Sequence, residues 1–405
     1  MKEHSLRDRL GNFSLMTFIF YSAHACYQPY IVVFLNARGV NATTIGLIMT
    51  ANSLVAIFMQ PLWGMLCDHF RSVKKVALVC IAALSLLIPV LGMLNNPLLI
   101  SVWIPLINVF YCTIFSFMDS WTVQGVKEMP GKSYGTVRVW GSVGFMIAVA
   151  ISGRLSETYS ASVSFWGFAI LGLVSVFIGL FIKSEGVPKE AGVPQHSQRL
   201  RLRDMNPGKL LKNYYYLLFI ICVSLIQIPL YAKGTYLPQR VIAAGGDSAL
   251  YGLCMSIGAL SEVPVLFFSG RLMRRVKPGA IVLFSMCVYT AQLIAMAFPI
   301  PAWAILVIQC FQGFGYGLFL VGSVHYIDSL APSNLKTSAL TFASACYGGI
   351  AGMISNMMAG FLIDQWGIMP VFRYASIWAF CALLLYFVLL GLGKKFVKPE
   401  SEPAA

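Results

Sequence analysis

Long apolar stretches, separated by short polar connections, follow one another along most of the chain. Each holds roughly 20 apolar residues, the length that an α-helix needs to cross the hydrocarbon of a bilayer. Because a backbone in hydrocarbon must satisfy its own hydrogen bonds, we expect these stretches to be helices. The pattern predicts twelve spans, numbered 1 to 12 in chain order, at residues 13–36, 43–67, 74–94, 97–121, 135–153, 161–183, 213–236, 249–272, 279–299, 302–326, 335–360 and 370–393.

The composition is that of a chain whose surface faces lipid. Hydrophobic residues make up 58% of the 405 residues and charged residues 11%, whereas a soluble domain carries about 25% charged residues. So few charges cannot cover a water-soluble protein of this size. The first apolar stretch follows a polar segment and is long enough to span, so we expect it to be retained rather than cleaved as a secretory signal.

The distribution of basic residues predicts the orientation of the spans. The net charge of +14 could indicate a nucleic-acid partner, but Lys and Arg cluster at alternate ends of the apolar stretches. With both termini in the cytoplasm, the inner segments hold all 29 Lys and Arg residues except Arg38, Arg154, Lys233, Arg240 and Arg373. This asymmetry follows the positive-inside rule. It predicts a multi-pass membrane protein with no nucleic-acid partner. The short basic C-terminal tail and the absence of organelle signals favour the cell (inner) membrane of a bacterium, with a eukaryotic membrane as the alternative.

One long hydrophilic stretch divides the spans into two sets of six. It predicts an N-terminal half at residues 1–183, a cytoplasmic linker at 184–212 and a C-terminal half at 213–405. Glycines recur between the halves at one offset: Gly39-x6-Gly46 returns as Gly245-x6-Gly252, and Gly64-Met-Leu returns as Gly270-Arg-Leu. Such repeats are typical of secondary transporters built from two pseudo-symmetric six-helix halves.

The loop after predicted span 2 carries a recognisable motif, Gly64-Met-Leu-Cys-Asp68-His-Phe-Arg71-Ser-Val-Lys74-Lys75. It resembles the signature loop of the major facilitator superfamily, although Ser-Val stands where Gly-Arg is usual. The resemblance extends over residues 13–393 and implies an all-α membrane protein with the major facilitator fold. It also implies that Asp68 and Arg71 belong to a conformational gate.

Two charged residues lie at neighbouring ends of predicted spans 4 and 5. Asp119 comes late in span 4, and Arg138 opens span 5, with Trp140 two residues further on. Antiparallel helices joined by a short loop would bring the two charges together. The pair could face a solute-binding cavity, or it could be a structural ion pair in which Arg138 extends to the headgroups.

The segment around Arg138 favours the first alternative. It reads Tyr134-Gly-Thr-Val-Arg138-Val-Trp140-Gly-Ser-Val-Gly-Phe145 and is similar to the span 5 motif of the superfamily branch that holds oligosaccharide, nucleoside and phenylpropionate permeases. By that resemblance, Asp119 and Arg138 would bind the solute jointly, and Trp140 would lie near a stacking aromatic. The fork of an arginine can hold two hydroxyls or a carboxylate.

Glu262 lies in the middle of predicted span 8, with no basic residue within one helical turn of it along the sequence. Acidic residues inside spans often serve as proton relays, and similar permeases carry an acid on this face of span 8. The alternative is a structural acid that is protonated or hydrogen-bonded. Span 10 has Gln309 and Gln312 where a permease of the branch carries a His and a Glu. Proton coupling would therefore depend on Glu262 or Asp119.

Other polar residues inside the predicted spans could contact a solute. The candidates are His24 and Gln28 in span 1, Gln227 in span 7 and Gln312 in span 10. Each could instead only hydrogen-bond to a neighbouring helix. Lys233, near the outer end of span 7, could supply a charge or extend to the lipid interface.

Together these features predict a secondary transporter for a small polar organic solute such as a sugar, nucleoside or aromatic acid. We expect proton symport by alternating access, with a monomer as the functional form. Proton-driven export of sugars or drugs is the alternative, and a membrane sensor that does not transport is a remoter one. No Walker A sequence, nucleophile–base pair or metal-site spacing of the ten cysteines is apparent, so we expect no enzyme, metal or cofactor.

Overall fold

The protein is helical throughout the part of the chain that the structure describes. A computed structural model describes residues 2–70, 72–126, 134–182, 213–331 and 335–396, and no strand occurs among them. Side chains of residues 2–9, 68, 126, 134–136, 337–338 and 394–396 are not described. The predicted all-α fold is therefore confirmed for the described residues.

Twelve helices in the described ranges are long and apolar enough to cross a membrane. They keep the numbers 1 to 12 and run over Leu10–Ala37, Ala42–Cys67, Val73–Met93, Pro97–Gly125, Val137–Thr158, Ala161–Phe181, Tyr214–Ala243, Ser248–Met273, Pro278–Met296, Ala302–Leu330, Ala339–Trp366 and Ile368–Gly393. The prediction of twelve spans is confirmed. Several helices continue beyond the predicted ends, because backbone hydrogen bonding continues where the apolar stretch has already given way to polar residues.

Span 4 is divided into the α-helices Pro97–Tyr111 and Ile114–Val126, and three further spans contain 3₁₀ or π-helical segments. Span 1 contains a 3₁₀ turn in which Pro29 has no N–H to donate. Spans 10 and 11 contain π-helical segments rich in glycine, whose wider turns leave backbone groups less tightly paired. The interruptions lie at Gln28–Tyr30 in span 1, at Gly313–Gly317 in span 10 and at Ala345–Ile350 in span 11.

Residue contacts group the chain into two compact units. The first is Met1–Ala191 with Gly245–Leu260, and the second is Gly192–Ala244 with Ser261–Ala405. The N-terminal part of span 8 thus belongs with the first unit. The halves expected at 1–183 and 213–405 stay a prediction, and the linker at 184–212 lies outside the described residues.

Close backbone approach holds the N-terminal part of span 8 in the first unit. The Tyr251 hydroxyl donates to the carbonyl oxygen of Pro29 at 3.0 Å, and the Tyr30 hydroxyl donates to that of Val149 at 2.6 Å. A Cβ atom added to Gly252 would lie 3.0 Å from the Cα atom of Gly153. Spans 1, 5 and 8 therefore meet at a point where only glycine leaves enough room.

The second unit has its own aromatic and aliphatic core. Tyr216, Phe219 and Leu293 are buried in one cluster, and the Tyr216 hydroxyl donates to the carbonyl oxygen of Ala339 at 2.7 Å. This contact joins span 7 to span 11. Close van der Waals packing stabilises such a cluster, because lipid tails are as apolar as the buried side chains and transfer from lipid supplies no hydrophobic driving force.

Candidate functional site

The first unit places a histidine among polar and aromatic side chains from three spans. His24 lies in the last turn of the α-helix Lys2–Tyr27, and Tyr111 ends the α-helix Pro97–Tyr111. The Nδ1 atom of His24 is hydrogen-bonded to the Tyr111 hydroxyl. Which of the two donates depends on the tautomer of the imidazole. Spans 1 and 4 are thus joined by a polar contact within the bundle.

Aromatic rings surround His24 on its remaining sides. The ring centroid of Phe115 lies 4.6 Å from that of His24, and the centroid of Phe145 lies 5.5 Å away. Phe115 belongs to span 4 and Phe145 to span 5, so three spans contribute to the enclosure. Such a wall offers flat apolar faces beside a polar group, which suits an amphipathic ring.

Arg138 lies over an aromatic face in the same unit. Its Cζ atom is 4.1 Å from the ring centroid of Tyr21, within cation–π distance. Its Nη1 atom donates to the Ser142 hydroxyl at 3.4 Å. A Cβ atom added to Gly141 would lie 2.7 Å from the Tyr21 ring. The glycine in the span 5 motif therefore lets the tyrosine ring approach the helix that carries Arg138.

The other predicted residues of the first unit have different surroundings. Asp119 is half-buried in the α-helix Ile114–Val126, and its joint role with Arg138 stays a prediction. Trp140 is 50% exposed, and Gln28 is exposed in the 3₁₀ turn of span 1. The gating prediction falls on the side chain of Asp68 and on Arg71, both of which lie outside the described residues.

The second unit contains a buried lysine held by two amides. The Nζ atom of Lys233 donates to the Oε1 atom of Gln292 at 2.6 Å and to that of Gln312 at 3.1 Å. Only 5% of Lys233 is exposed. The interpretation that Lys233 extends to the lipid interface is therefore wrong. The side chain turns instead toward spans 9 and 10, which offer oxygen acceptors that lipid tails do not.

Gln292 and Tyr111 were not among the residues selected from the sequence. Both are polar residues in otherwise apolar spans, and this contrast is the feature of the sequence that could have identified them as candidates. Gln292 is buried, and its Nε2 atom also donates to the carbonyl oxygen of Ile308 at 3.5 Å. This second contact orients the amide so that its oxygen points at the lysine.

The interruption of span 10 brings it against span 8 beside Glu262. The backbone N–H of Gly313 donates to the Ser261 hydroxyl at 2.8 Å. A Cβ atom added to Gly313 would lie 2.0 Å from the Ser261 carbonyl oxygen. Glu262 is half-buried and within electrostatic reach of Tyr289 in span 9. Gln312, which holds Lys233, therefore directly precedes the residue that contacts the Glu262 segment.

The remaining polar residues of the second unit differ in their exposure and in whether their polar atoms have hydrogen-bond partners. Gln309 is 3% exposed, and its Oε1 atom has no hydrogen-bond partner among the described residues. Gln227 is half-buried in span 7. Asp328 accepts from Lys336 at 2.8 Å near the end of span 10, where both side chains are exposed. Gln309 is the last residue of the α-helix Ala302–Gln309, three residues before Gln312.

Comparison with known proteins identifies the relatives of this chain. Residues 10–374 match the family described as "MFS_1 like family". The maltose permease of Geobacillus stearothermophilus is 26% identical over 384 residues, covering 95% of this chain and 94% of the permease. A probable 3-phenylpropionic acid transporter of Escherichia coli (strain K12) is 27% identical over 402 residues, covering 96% of this chain and 96% of the transporter.

A solved structure has the same fold. The nucleoside transporter NupG superposes with a TM-score of 0.80 at 15% sequence identity, over 95% of this chain and 99% of that protein. The match extends over nearly the full length of both chains, so the arrangement of the twelve spans is the major facilitator fold.

Proposed function

The chain belongs to the MFS_1 like family of major facilitators, and on that premise we propose that it moves a small polar organic solute across the cell (inner) membrane by proton symport. The solute is a sugar, a nucleoside or an aromatic acid. Transport proceeds by alternating access. The functional unit is a monomer with both termini in the cytoplasm.

The observation that carries the proposal is a group of charged and polar side chains inside the second unit. It consists of Lys233, Gln292, Gln312 and the segment around Glu262. A charge at the centre of a span costs about 2.5–3.5 kcal/mol on insertion scales. Lys233 is nevertheless buried on two amides, and one of them directly precedes the span 10 residue that contacts the Glu262 segment. Polar residues kept inside spans at such a cost commonly line the pathways of solutes and ions.

The proposed roles follow the chemistry of each side chain. Solute contacts come from Asp119, Arg138, Trp140, His24, Gln28, Gln227 and Gln312. Glu262 carries the coupled proton, with Asp119 as the second acid, and Asp68 with Arg71 forms the gate. Guanidinium and amide groups orient hydroxyls or a carboxylate, while aromatic faces accept a ring.

The relatives support this range of solutes. One is named as a permease for maltose and another as a probable transporter of 3-phenylpropionic acid, and each aligns with nearly the whole chain. A sugar and an aromatic acid share a flat or ring-shaped body with polar groups at its edge. The aromatic enclosure of His24 together with Arg138 suits both kinds of ring.

The test is solute-triggered proton movement. Purified protein in vesicles that report external pH is challenged with sugars, nucleosides and aromatic acids. Alkalinisation outside right-side-out vesicles is the expected response to one of them, because each solute carries a proton inward. Acidification would instead indicate proton-driven export, and binding without proton movement would overturn the coupling.

A further inference from the structure

The starting observation is that Lys233 is buried with two amide oxygens as its hydrogen-bond partners. An ammonium group has three N–H donors, and two of those of Lys233 go to the amide oxygens of Gln292 and Gln312. Both partners are neutral. In the described part of the chain the amides therefore satisfy two donors without neutralising the positive charge.

A second buried cation in the same span has a structural explanation. Arg240 is 1% exposed, and its Nε and Nη2 atoms donate to the carbonyl oxygens of Met296 and Phe298 at 3.0 and 2.8 Å. Met296 is the last residue of span 9 and Phe298 follows two residues later, at the end of a helix where the macrodipole is negative. The charge of Arg240 thus compensates a helix end.

Lys233, in contrast, has no helix end among its hydrogen-bond acceptors. It lies seven residues before Arg240, about two helical turns deeper in span 7, and its acceptors are side chains of spans 9 and 10. A buried charge is normally paired, because removing an ion from water costs far more than hydrogen bonds to neutral groups return. A negative charge supplied from outside the chain would complete this arrangement.

We infer that the ammonium group of Lys233, held by Gln292 and Gln312, is the binding group for a carboxylate of the transported solute. The substrate is therefore an organic acid. This inference rests on the proposed function, since it narrows the solute of that transporter to the anionic members of its range.

The position of Gln312 gives a route for this binding. Gln312 is half-buried and directly precedes the π-helical segment Gly313–Gly317, whereas Gln292 is buried and tied to a backbone carbonyl. A carboxylate oxygen of the solute can take the place of the Gln312 amide oxygen as an acceptor from Lys233. The number of hydrogen bonds that Lys233 donates then stays the same. The exchange substitutes a charged acceptor for a neutral one, and charge-assisted hydrogen bonds are about twice as strong.

The experiment compares solutes that differ only in charge. Wild-type protein in vesicles is given aromatic acids and their primary amides, and sugar acids and the corresponding neutral sugars. Binding is measured by solute-induced thermal stabilisation and transport by uptake. Wild type is expected to prefer the acid of each pair by about 10- to 100-fold, the usual strength of a hydrogen bond to a charged group.

Variants test whether Lys233 carries this preference. Lys233→Gln is expected to bind the acid and its neutral partner about equally, whereas Lys233→Arg retains part of the preference. Arg240→Gln is the matched control, because it removes a buried cation from the same span and is expected to lower stability without changing the preference. If Lys233→Gln fails to fold, Lys233→Met, which keeps an unbranched side chain without the charge, takes its place in the same comparison of acid and neutral solute.

The outcomes separate the inference from the proposed function. Proton-coupled uptake of neutral sugars or nucleosides, with no gain from a carboxylate, would overturn the inference and leave the transporter intact. Preferred binding of acids that depends on Lys233, without proton movement for any solute, would support the inference and overturn the symport. A preference for acids that survives Lys233→Gln would assign the carboxylate to another cation.

Discussion

The guanidinium of Arg138 lies over the ring of Tyr21, with 4.1 Å between its Cζ atom and the ring centroid. Span 1 and span 5 are thus joined by a cation–π contact beside the aromatic enclosure of His24. Gly141 makes the contact possible, since any larger side chain would collide with the tyrosine ring. The ring thus holds the guanidinium of Arg138 against span 1.

Removing the Tyr21 ring should therefore weaken solute binding. Tyr21→Leu is expected to raise the solute dissociation constant by about 2- to 30-fold, the range of a cation–π contact. Tyr21→Phe keeps the ring and should stay close to wild type. Titration of the solute against both variants measures the effect. Equal losses in the two variants would contradict the role of the ring and point to the hydroxyl.

Neutralising Glu262 should separate transport from accumulation. Glu262→Gln is expected to reduce uptake against a gradient to background, because an amide cannot carry the proton, while exchange of solute across the membrane continues. Asp247→Asn is the control: Asp247 directly precedes span 8 and caps it by accepting from the N–H of Leu250 at 2.7 Å, and Asn can do the same. Full accumulation by Glu262→Gln would remove Glu262 from the coupling.

A methyl group at Gly313 should disturb the contact between spans 8 and 10. Its Cβ atom would meet the Ser261 carbonyl oxygen at 2.0 Å, so the backbones must move apart, and forced repacking costs about 1–3 kcal/mol. Gly313→Ala is expected to melt at a lower temperature and to transport more slowly. Gly349→Ala, at a glycine of the π-helical segment of span 11 with open space around it, should change neither quantity. Identical melting of both variants would show that the backbone contact is dispensable.

A methyl group at Gly252 should loosen the meeting point of spans 1, 5 and 8. Its Cβ atom would lie 2.6 Å from the Tyr30 hydroxyl and 2.7 Å from the Val149 carbonyl oxygen. Cys254, two residues further on and fully buried, should then react faster with a thiol reagent added from outside. Peptide mapping by mass spectrometry measures this rate. Gly234→Ala is the control, since nothing lies within 4 Å of the added atom, and equal labelling in both variants would contradict the prediction.

The twelve spans could be predicted from the sequence alone because their signal is local. Each is an apolar stretch of sufficient length, and the requirement for internal backbone hydrogen bonds makes it a helix whatever its neighbours are. The rarity of charges inside such stretches also identified Arg138 and Glu262 as candidates before any contact was known. Span ends were less exact, since helices continue into polar residues at the interface.

The direction of each side chain was decided only by the tertiary structure. A span is apolar on its lipid side and on most of its protein side, so the sequence lacks the contrast that orients a helix in a water-soluble protein. From the sequence alone, Lys233 could equally extend to lipid headgroups. In the structure it donates to Gln292 of span 9 and Gln312 of span 10. Likewise, His24 is hydrogen-bonded to Tyr111, which lies 87 residues further along the chain. This pairing depends on how spans 1 and 4 pack.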